Sequence, residues 1–176
     1  LTKLSAEQIA HRCEQLHESN PMLGHRGCRL CITYPEILEM QVTAIIEAAI
    51  TCTKKGVKVF PEIMIPLTMD RKEFQILEVQ ARKIADALIK KAGVKLAYMV
   101  GTMIEIPRAA LMADQVAEAA EFFSFGTNDL TQMTMGLSRD DAGRFLPDYI
   151  DEKKAGIFKA DPFQSLDTTG VGQLVK

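Results

Sequence analysis

The sequence predicts an α/β fold in which short parallel strands alternate with helices. Segments with apolar residues at helical spacing alternate along the chain with short, continuous apolar runs. Strands separated by single helices are parallel, because a helical crossover returns the chain to the same end of the sheet. Runs that are apolar throughout are typical of a parallel sheet covered on both faces. We count about four consecutive βα units, which fit either a doubly wound sheet or part of a (β/α)8 barrel.

The first part of the chain is predicted to contain two helices and one strand. Ser5-x-x-Gln8 fits a capping box and begins a helix that runs to about Ser19. The strand spans His25 to Ile32. Thr33-x-x-Glu36 fits a second capping box, and Gly56 ends the helix that follows. The predicted buried stripe of that helix consists of Leu38, Val42, Ile45, Ile46, Ala49 and Ile50.

Three further strands are predicted in the rest of the chain, each followed by a helix. The strands are Val57 to Ile65, Lys95 to Ile104 and Phe122 to Phe125. The helices begin at Asp70, Pro107 and after Thr127, and the first of them ends at Gly93. Asp161-Pro162 is predicted to begin a short helix near the end.

Composition favours one globular domain and argues against several classes of partner. The chain has 176 residues, of which 47% are hydrophobic and 25% are charged, and its net charge is -2. These values suit a soluble domain with a real core. Lysine and arginine are scattered, so we expect no nucleic-acid or membrane surface. No apolar run approaches the roughly 20 residues of a membrane span, and the first residues lack a signal-peptide pattern, so we expect a soluble, non-secreted protein.

The four cysteines include one Cys28-x-x-Cys31 pair. A structural zinc site would need two more ligands at a comparable spacing, and Cys13 and Cys52 stand alone. We interpret Cys28 and Cys31 as two side chains on the first predicted strand, in a reducing compartment. Metal or redox use of the pair is the alternative.

Polar residues at the ends of successive predicted strands form the candidate site. Glu105 follows one strand, and Gly126, Thr127, Asn128 and Asp129 follow the next. Ligands of parallel α/β folds bind at the carboxyl ends of the strands. Since Mg²⁺ commonly takes one or two protein carboxylates, Glu105 and Asp129 form a plausible metal pair.

Each of these residues also has a purely structural interpretation, which spacing alone leaves open. Glu105 could be a charge favoured at a helix N-terminus, and Asn128 and Asp129 could be capping residues. Arg26, beside the first predicted strand, could form a surface ion pair. Gly24-x-x-Gly27 lacks the Lys-Ser/Thr of a phosphate loop, and His25 between Gly24 and Arg26 is more often structural than catalytic.

Three segments resemble motifs of the phosphoenolpyruvate (PEP)-utilising enzymes. They are Asn20 to Leu30 with an arginine motif, Met103 to Ala110 with a glutamate motif, and Phe123 to Gln132 with the signature around a second metal ligand. Ser138 to Gly143 and the tail from Asp161 to Gly172 resemble one branch of the family in particular. Cys31 departs from that branch, which has glycine there.

The resemblance implies a fold, a reaction and a setting. Residues 1–176 would form part of a PEP/pyruvate-binding (β/α)8 barrel domain, with its N- and C-terminal parts lying outside this chain. The family interconverts PEP and pyruvate through a phosphohistidine on another domain of the same parent chain. The branch in question converts ATP, pyruvate and phosphate into AMP, PEP and diphosphate. The resemblance also implies a homodimeric parent in the cytoplasm, a plastid or a glycosome.

The resemblance further assigns roles to individual residues. It implies that Mg²⁺ is the cofactor, with Glu105 and Asp129 as its ligands. It implies that seven residues contact the substrate, with Arg26 on the phosphate: Arg26, Glu105, Gly126, Thr127, Asn128, Asp129 and Arg139. The family's cysteine acid and phosphohistidine lie outside this chain, so we expect no catalytic residue here and little or no activity from the chain alone. The alternatives are the branch that transfers the nucleotide's phosphoryl group to water, and a non-catalytic PEP-binding module.

Overall fold

A three-stranded parallel sheet forms the centre of the fold in the computed structural model, which describes residues 4–176. Its strands are β1 (Glu62–Ile65), β2 (Met99–Ile104) and β3 (Phe123–Phe125), adjacent in that order. Ile63 pairs with Val100, and Met103 pairs with Ser124. The predicted α/β class with parallel strands is confirmed, and the carboxyl ends of β2 and β3 lie side by side.

Eight helices accompany the sheet in the described residues. They are α1 (Ala6–Gln15), α2 (Cys28–Thr33), α3 (Pro35–Lys54), α4 (Arg71–Ala92), α5 (Pro107–Leu111), α6 (Ala113–Ala117), α7 (Thr127–Met135) and α8 (Leu146–Ile150). Short 3₁₀ turns span Pro21–Leu23, Ala142–Arg144 and Val171–Leu174. None of these helices is both long enough and apolar enough to cross a membrane.

Local capping signals located several helix ends correctly. The Ser5 hydroxyl accepts from the Gln8 amide and the Gln8 side chain accepts from the Ser5 amide, so the predicted capping box is confirmed. Asp70 Oδ1 accepts from the Lys72 amide at the start of α4. Gly93 ends α4 in the left-handed region at φ 66°, where glycine has no Cβ to clash.

The prediction of a strand from His25 to Ile32 is wrong, so the described residues contain three strands rather than four. Cys28–Thr33 forms helix α2, and its first turn closes when the Cys31 amide donates to the Gly27 carbonyl, 3.2 Å away. A run this short has no period that distinguishes a strand from a buried helix. Gly27 provides the abrupt entry to the helix, because its φ of 60° suits a residue without Cβ.

Several helix boundaries also differ from the prediction. Helix α1 ends at Gln15 rather than near Ser19. Thr33 belongs to the end of α2, where its hydroxyl donates to the Arg29 carbonyl, so it does not cap α3. The helix predicted from Pro107 divides into α5 and α6 at Met112. Asp161 accepts from the Phe163 amide in a turn, and no helix forms there.

The core lies between the sheet and the pair of long helices α3 and α4. Phe74 and Leu77 of α4 are fully buried, as are Val42 and Ile46 of α3. Five of the six residues predicted for the α3 stripe are buried, whereas Ile45 is 44% exposed. Other faces carry uncovered apolar side chains, including Phe60, which is 77% exposed.

Candidate active site at the ends of β2 and β3

Glu105 lies directly after β2 and is 3% exposed, although it is an acid. Its Oε1 accepts a hydrogen bond from the Leu67 amide, 2.7 Å away. Leu67 follows β1, so the turn after one strand holds the carboxylate at the end of the next. A buried carboxylate needs such partners, because leaving water disfavours its charged form.

Asp129 lies beside Glu105, in the first turn of helix α7. Burial, followed by the hydrogen bond to Asp129, raises the pKa of Glu105 to about 7. The Leu67 amide and the Arg26 charge oppose this shift but do not cancel it. Two adjacent carboxylates of this kind are stabilised by a shared proton or by a cation.

Gly126 packs directly against Glu105 at the junction of β3 and α7. A Cβ at Gly126 would lie 2.5 Å from Glu105 Oε2 and 2.7 Å from Met103 Sδ. The Gly126 amide also donates to the Ile104 carbonyl, 3.1 Å away, which joins the two strand ends. Position 126 therefore requires glycine, because the Glu105 and Met103 side chains leave no room for a Cβ.

A cleft of about 1040 Å³ opens beside the two carboxylates. Arg26, Asn128, Asp129 and Arg139 line it, together with neighbouring residues of the segments 19–26 and 128–141. Four of the seven predicted substrate residues thus border one cleft. Glu105 and Gly126 do not line it, but Glu105 contacts both Gly126 and Asp129. Thr127 is exposed at the start of α7 and is not part of the cleft lining.

The two arginines lie in different settings. Arg26 is exposed before helix α2, and its guanidinium donates to the Met22 carbonyl at 3.3 Å. Arg139 donates through Nη1 to Asn128 Oδ1 at 2.9 Å, and its guanidinium carbon lies 5.7 Å from the centre of the Phe163 ring. Stacking of this kind suits the planar guanidinium and fixes its orientation.

The donor set fits Mg²⁺ better than it fits a metal that needs many protein ligands. Glu105 and Asp129 are two hard oxygen ligands held together, and the described residues contain no cluster of three or more His, Cys, Asp or Glu that could hold a metal. Mg²⁺ commonly uses one or two carboxylates and completes its octahedron with water and substrate oxygens. The remaining ligands of a Mg²⁺ ion at this position would be water or substrate oxygens in the cleft.

The sequence did not point to two residues that shape the site. Leu67 holds Glu105 through its backbone, for which no side-chain pattern exists. Gln132, nine-tenths buried on α7, accepts from the Arg139 amide at 2.8 Å and lies 2.9 Å from Met22 Sδ, so it joins the two walls of the cleft. A polar residue on the inner face of α7 was the available signal for Gln132.

Other candidate residues lie outside this arrangement. Cys28 and Cys31 are buried on α2 as free thiols rather than on a strand, which corrects their predicted location. The His25 ring nitrogen Nε2 lies 3.0 Å from the Thr33 hydroxyl, and the ring lies beside Tyr34, which is consistent with a structural role.

Comparison with known proteins agrees with the motif resemblance. The family described as PEP-utilising enzyme, PEP-binding domain, matches residues 3–176. The chain is 55% identical over 174 residues to pyruvate, phosphate dikinase of Clostridium symbiosum, covering 98% of this chain and 20% of that protein. It is 56% identical over 168 residues to the enzyme of Giardia intestinalis, covering 96% of this chain and 19% of that protein.

A plant relative shows the same relationship. The chain is 57% identical over 175 residues to chloroplastic pyruvate, phosphate dikinase 1 of Oryza sativa subsp. japonica, covering 99% of this chain and 18% of that protein. The chain therefore spans about a fifth of the length of these curated relatives. The chain belongs to the PEP-binding domain family of the PEP-utilising enzymes, because the family matches nearly the whole sequence and the motifs and identities agree with it.

Proposed function

We propose that this chain provides the Mg²⁺ and PEP/pyruvate site of a phosphotransferase of the pyruvate, phosphate dikinase type. The observation that carries the proposal is the pairing of Glu105 and Asp129 beside a cleft lined by Arg26 and Arg139. A small, highly charged substrate such as PEP requires carboxylates that hold a divalent cation and arginines that bind its phosphate.

Each residue has a definite task in this proposal. Glu105 and Asp129 hold Mg²⁺, which when bound offsets the negative charge that develops on the enolate and phosphoryl oxygens. Arg26 and Arg139 bind phosphate and carboxylate oxygens through their planar forks. Asn128, on the cleft wall, and its neighbours Gly126 and Thr127 contact the substrate's carboxylate and phosphate oxygens. Positioning and charge neutralisation are the main demands of phosphoryl transfer.

The wider context is also part of the proposal. We place the chain in a (β/α)8 barrel, because its parallel strands carry the site at their carboxyl ends. The phosphohistidine and the cysteine acid belong to other parts of the parent enzyme, which converts ATP, pyruvate and phosphate into AMP, PEP and diphosphate. We propose a homodimeric parent in the cytoplasm or in an organelle such as a plastid or glycosome; the rice relative is named as chloroplastic. The chain alone is then inactive.

A phosphoenolpyruvate synthase is the second candidate, since its PEP half-reaction needs the same residues. The relatives described above favour the dikinase, because all three carry that name. A non-catalytic PEP-binding module is the third candidate, and it would use the cleft without the metal chemistry.

A chimera tests the proposal. The residues of this chain replace the matching stretch of the Clostridium symbiosum enzyme, and formation of PEP from pyruvate is measured with ATP and phosphate. We expect an active chimera that Glu105→Gln or Asp129→Asn inactivates, while Asp114→Asn, at an exposed acid on α6, does not. An inactive but folded chimera, or full activity in Glu105→Gln, contradicts the proposal.

A further inference from the structure

The turn after β1 contains an unusual backbone conformation beside the site. Leu67 has a φ of 59°, the one positive φ at a non-glycine residue in 4–176, and it is 1% exposed. A bulky residue adopts this region rarely, and only where its surroundings fix it. The contacts that hold Leu67 in this conformation therefore determine where its backbone amide and carbonyl point.

The Leu67 backbone holds the Glu105 side chain in place. Its amide donates to Glu105 Oε1 at 2.7 Å. With one carboxylate oxygen held in this way, the other lies against Gly126, towards α7 and Asp129. The peptide before Leu67 thus sets the direction in which the Glu105 carboxylate faces.

Cys28 holds the same turn from the opposite side. Its amide donates to the Pro66 carbonyl at 3.1 Å, and its Sγ donates to the Leu67 carbonyl at 3.0 Å. The thiol is fully buried, and burial, followed by the neighbouring Glu73 carboxylate, raises its pKa, so it stays protonated and able to donate. The chain of contacts therefore runs from the Cys28 thiol through the Leu67 backbone to the Glu105 carboxylate.

Other contacts fix the residues on either side of Leu67. The Thr102 hydroxyl donates to the Ile65 carbonyl at 2.7 Å and lies 2.8 Å from the Thr68 hydroxyl. Arg108 donates to the Met69 carbonyl at 2.6 Å. The side chain that donates to Leu67 itself is the Cys28 thiol, which binds the Leu67 carbonyl. Removing the thiol therefore frees the peptide group between Leu67 and Thr68, next to the Leu67 amide that holds Glu105.

We propose that Cys28 is a positioning residue for the Mg²⁺ ligand Glu105, acting through the left-handed backbone of Leu67. This inference rests on the proposed function, in which Glu105 binds Mg²⁺. It assigns to a buried thiol a role in metal affinity that is separate from its contribution to the core. Partners that orient metal ligands typically change affinity by about 10–100-fold when they are removed.

The test is calorimetric titration of the whole 176-residue chain with Mg²⁺ alone, at a temperature where every variant is folded. We expect Cys28→Ala to weaken Mg²⁺ binding about tenfold or more, and Cys28→Ser, whose hydroxyl can still donate to the Leu67 carbonyl, to retain most of the affinity. Cys31→Ala is the matched control, because Cys31 is a buried thiol on the same helix, whereas the hydrogen bond to the Leu67 carbonyl comes from Cys28. Cys28→Val, which fills the site but cannot donate, replaces Cys28→Ala if that variant does not fold.

The outcomes separate this inference from the proposed function. Equal Mg²⁺ affinity in Cys28→Ala and Cys31→Ala, with a similar loss of thermal stability in both, overturns the role of Cys28 and leaves the function intact. Absence of Mg²⁺ binding in the folded, unaltered chain, or affinity unchanged by Glu105→Gln, overturns the function and this inference with it.

Discussion

Gly126 and Glu105 are in such close contact that no side chain fits between them. A Cβ added to Gly126 would lie 2.5 Å from Glu105 Oε2 and 2.6 Å from Glu105 Cβ, well inside van der Waals contact. The two residues come from the ends of adjacent strands, so this contact determines how closely Glu105 approaches helix α7 and Asp129. The spacing of the carboxylate pair depends on a glycine.

Gly126→Ala should therefore push Glu105 away from Asp129. We expect Mg²⁺ affinity to fall about tenfold or more, as for other changes that misplace a metal ligand. Calorimetry with Mg²⁺ measures the effect. Gly143→Ala is the control, because an added Cβ there meets no atom within 4 Å. Equal affinity in the two variants would show that the contact is not required for the metal.

The raised pKa of Glu105 predicts a specific pH dependence of stability. Its pKa is about 7 in the folded chain against an ordinary value of 4.5, so the folded state holds one more proton than the unfolded state between these values. The contribution of Glu105 to the free energy of unfolding should fall as pH rises from 4.5 to 7 and stay level above 7.

Glu105→Gln should remove this fall and be more stable than the unaltered chain at pH 8, by about 1–3 kcal/mol. Chemical denaturation at pH 5 and pH 8 measures the difference. Added Mg²⁺ should stabilise the unaltered chain at pH 8 and leave Glu105→Gln unaffected. Identical pH dependence in the two proteins would contradict the assignment of the raised pKa to Glu105.

Arg26 and Arg139 should contribute to PEP affinity through their forked guanidinium groups. We expect Arg26→Gln and Arg139→Gln each to weaken Mg²⁺-dependent PEP binding about 10–100-fold, the range for loss of a hydrogen bond to a charged group. Arg139→Lys should recover little, because an ammonium group cannot bind in the forked geometry. The control is Arg144→Gln, an exposed arginine that does not line the cleft. Wild-type affinity in both site variants would exclude the arginines from the site.

Phe74 should be central to the stability of the fold. It is fully buried on α4 in the core against the sheet, so Phe74→Ala should lower the free energy of unfolding by about 3–5 kcal/mol. Phe60→Ala should change it little, because Phe60 is 77% exposed. Thermal and urea denaturation compare the two variants. A similar loss of unfolding free energy in Phe74→Ala and Phe60→Ala would mean that the core is not where the structure places it.

The parts of the fold that were predictable are those with local signals. Asp70 and Gly93 bound α4 because a capping carboxylate and a left-handed glycine act on neighbouring residues. The pairing of Glu105 with Asp129 was predictable as well, since the carboxyl ends of neighbouring parallel strands meet at one edge of the sheet.

The parts that were not predictable depend on tertiary contacts. Cys28–Thr33 has no period that favours helix over strand, and its location beside the Pro66–Leu67 turn decides its structure. The positive φ of Leu67 has no sequence signal, because leucine seldom adopts it, so the amide that holds Glu105 could not be foreseen.

Calorimetric titration of the 176-residue chain with Mg²⁺ and PEP tests the central claim most directly. We predict PEP binding that requires Mg²⁺, is abolished by Glu105→Gln and by Asp129→Asn, and is retained by Asp114→Asn. PEP binding that is undiminished in the first two variants, or a folded chain that binds neither Mg²⁺ nor PEP, would contradict the claim that these two carboxylates form the metal site.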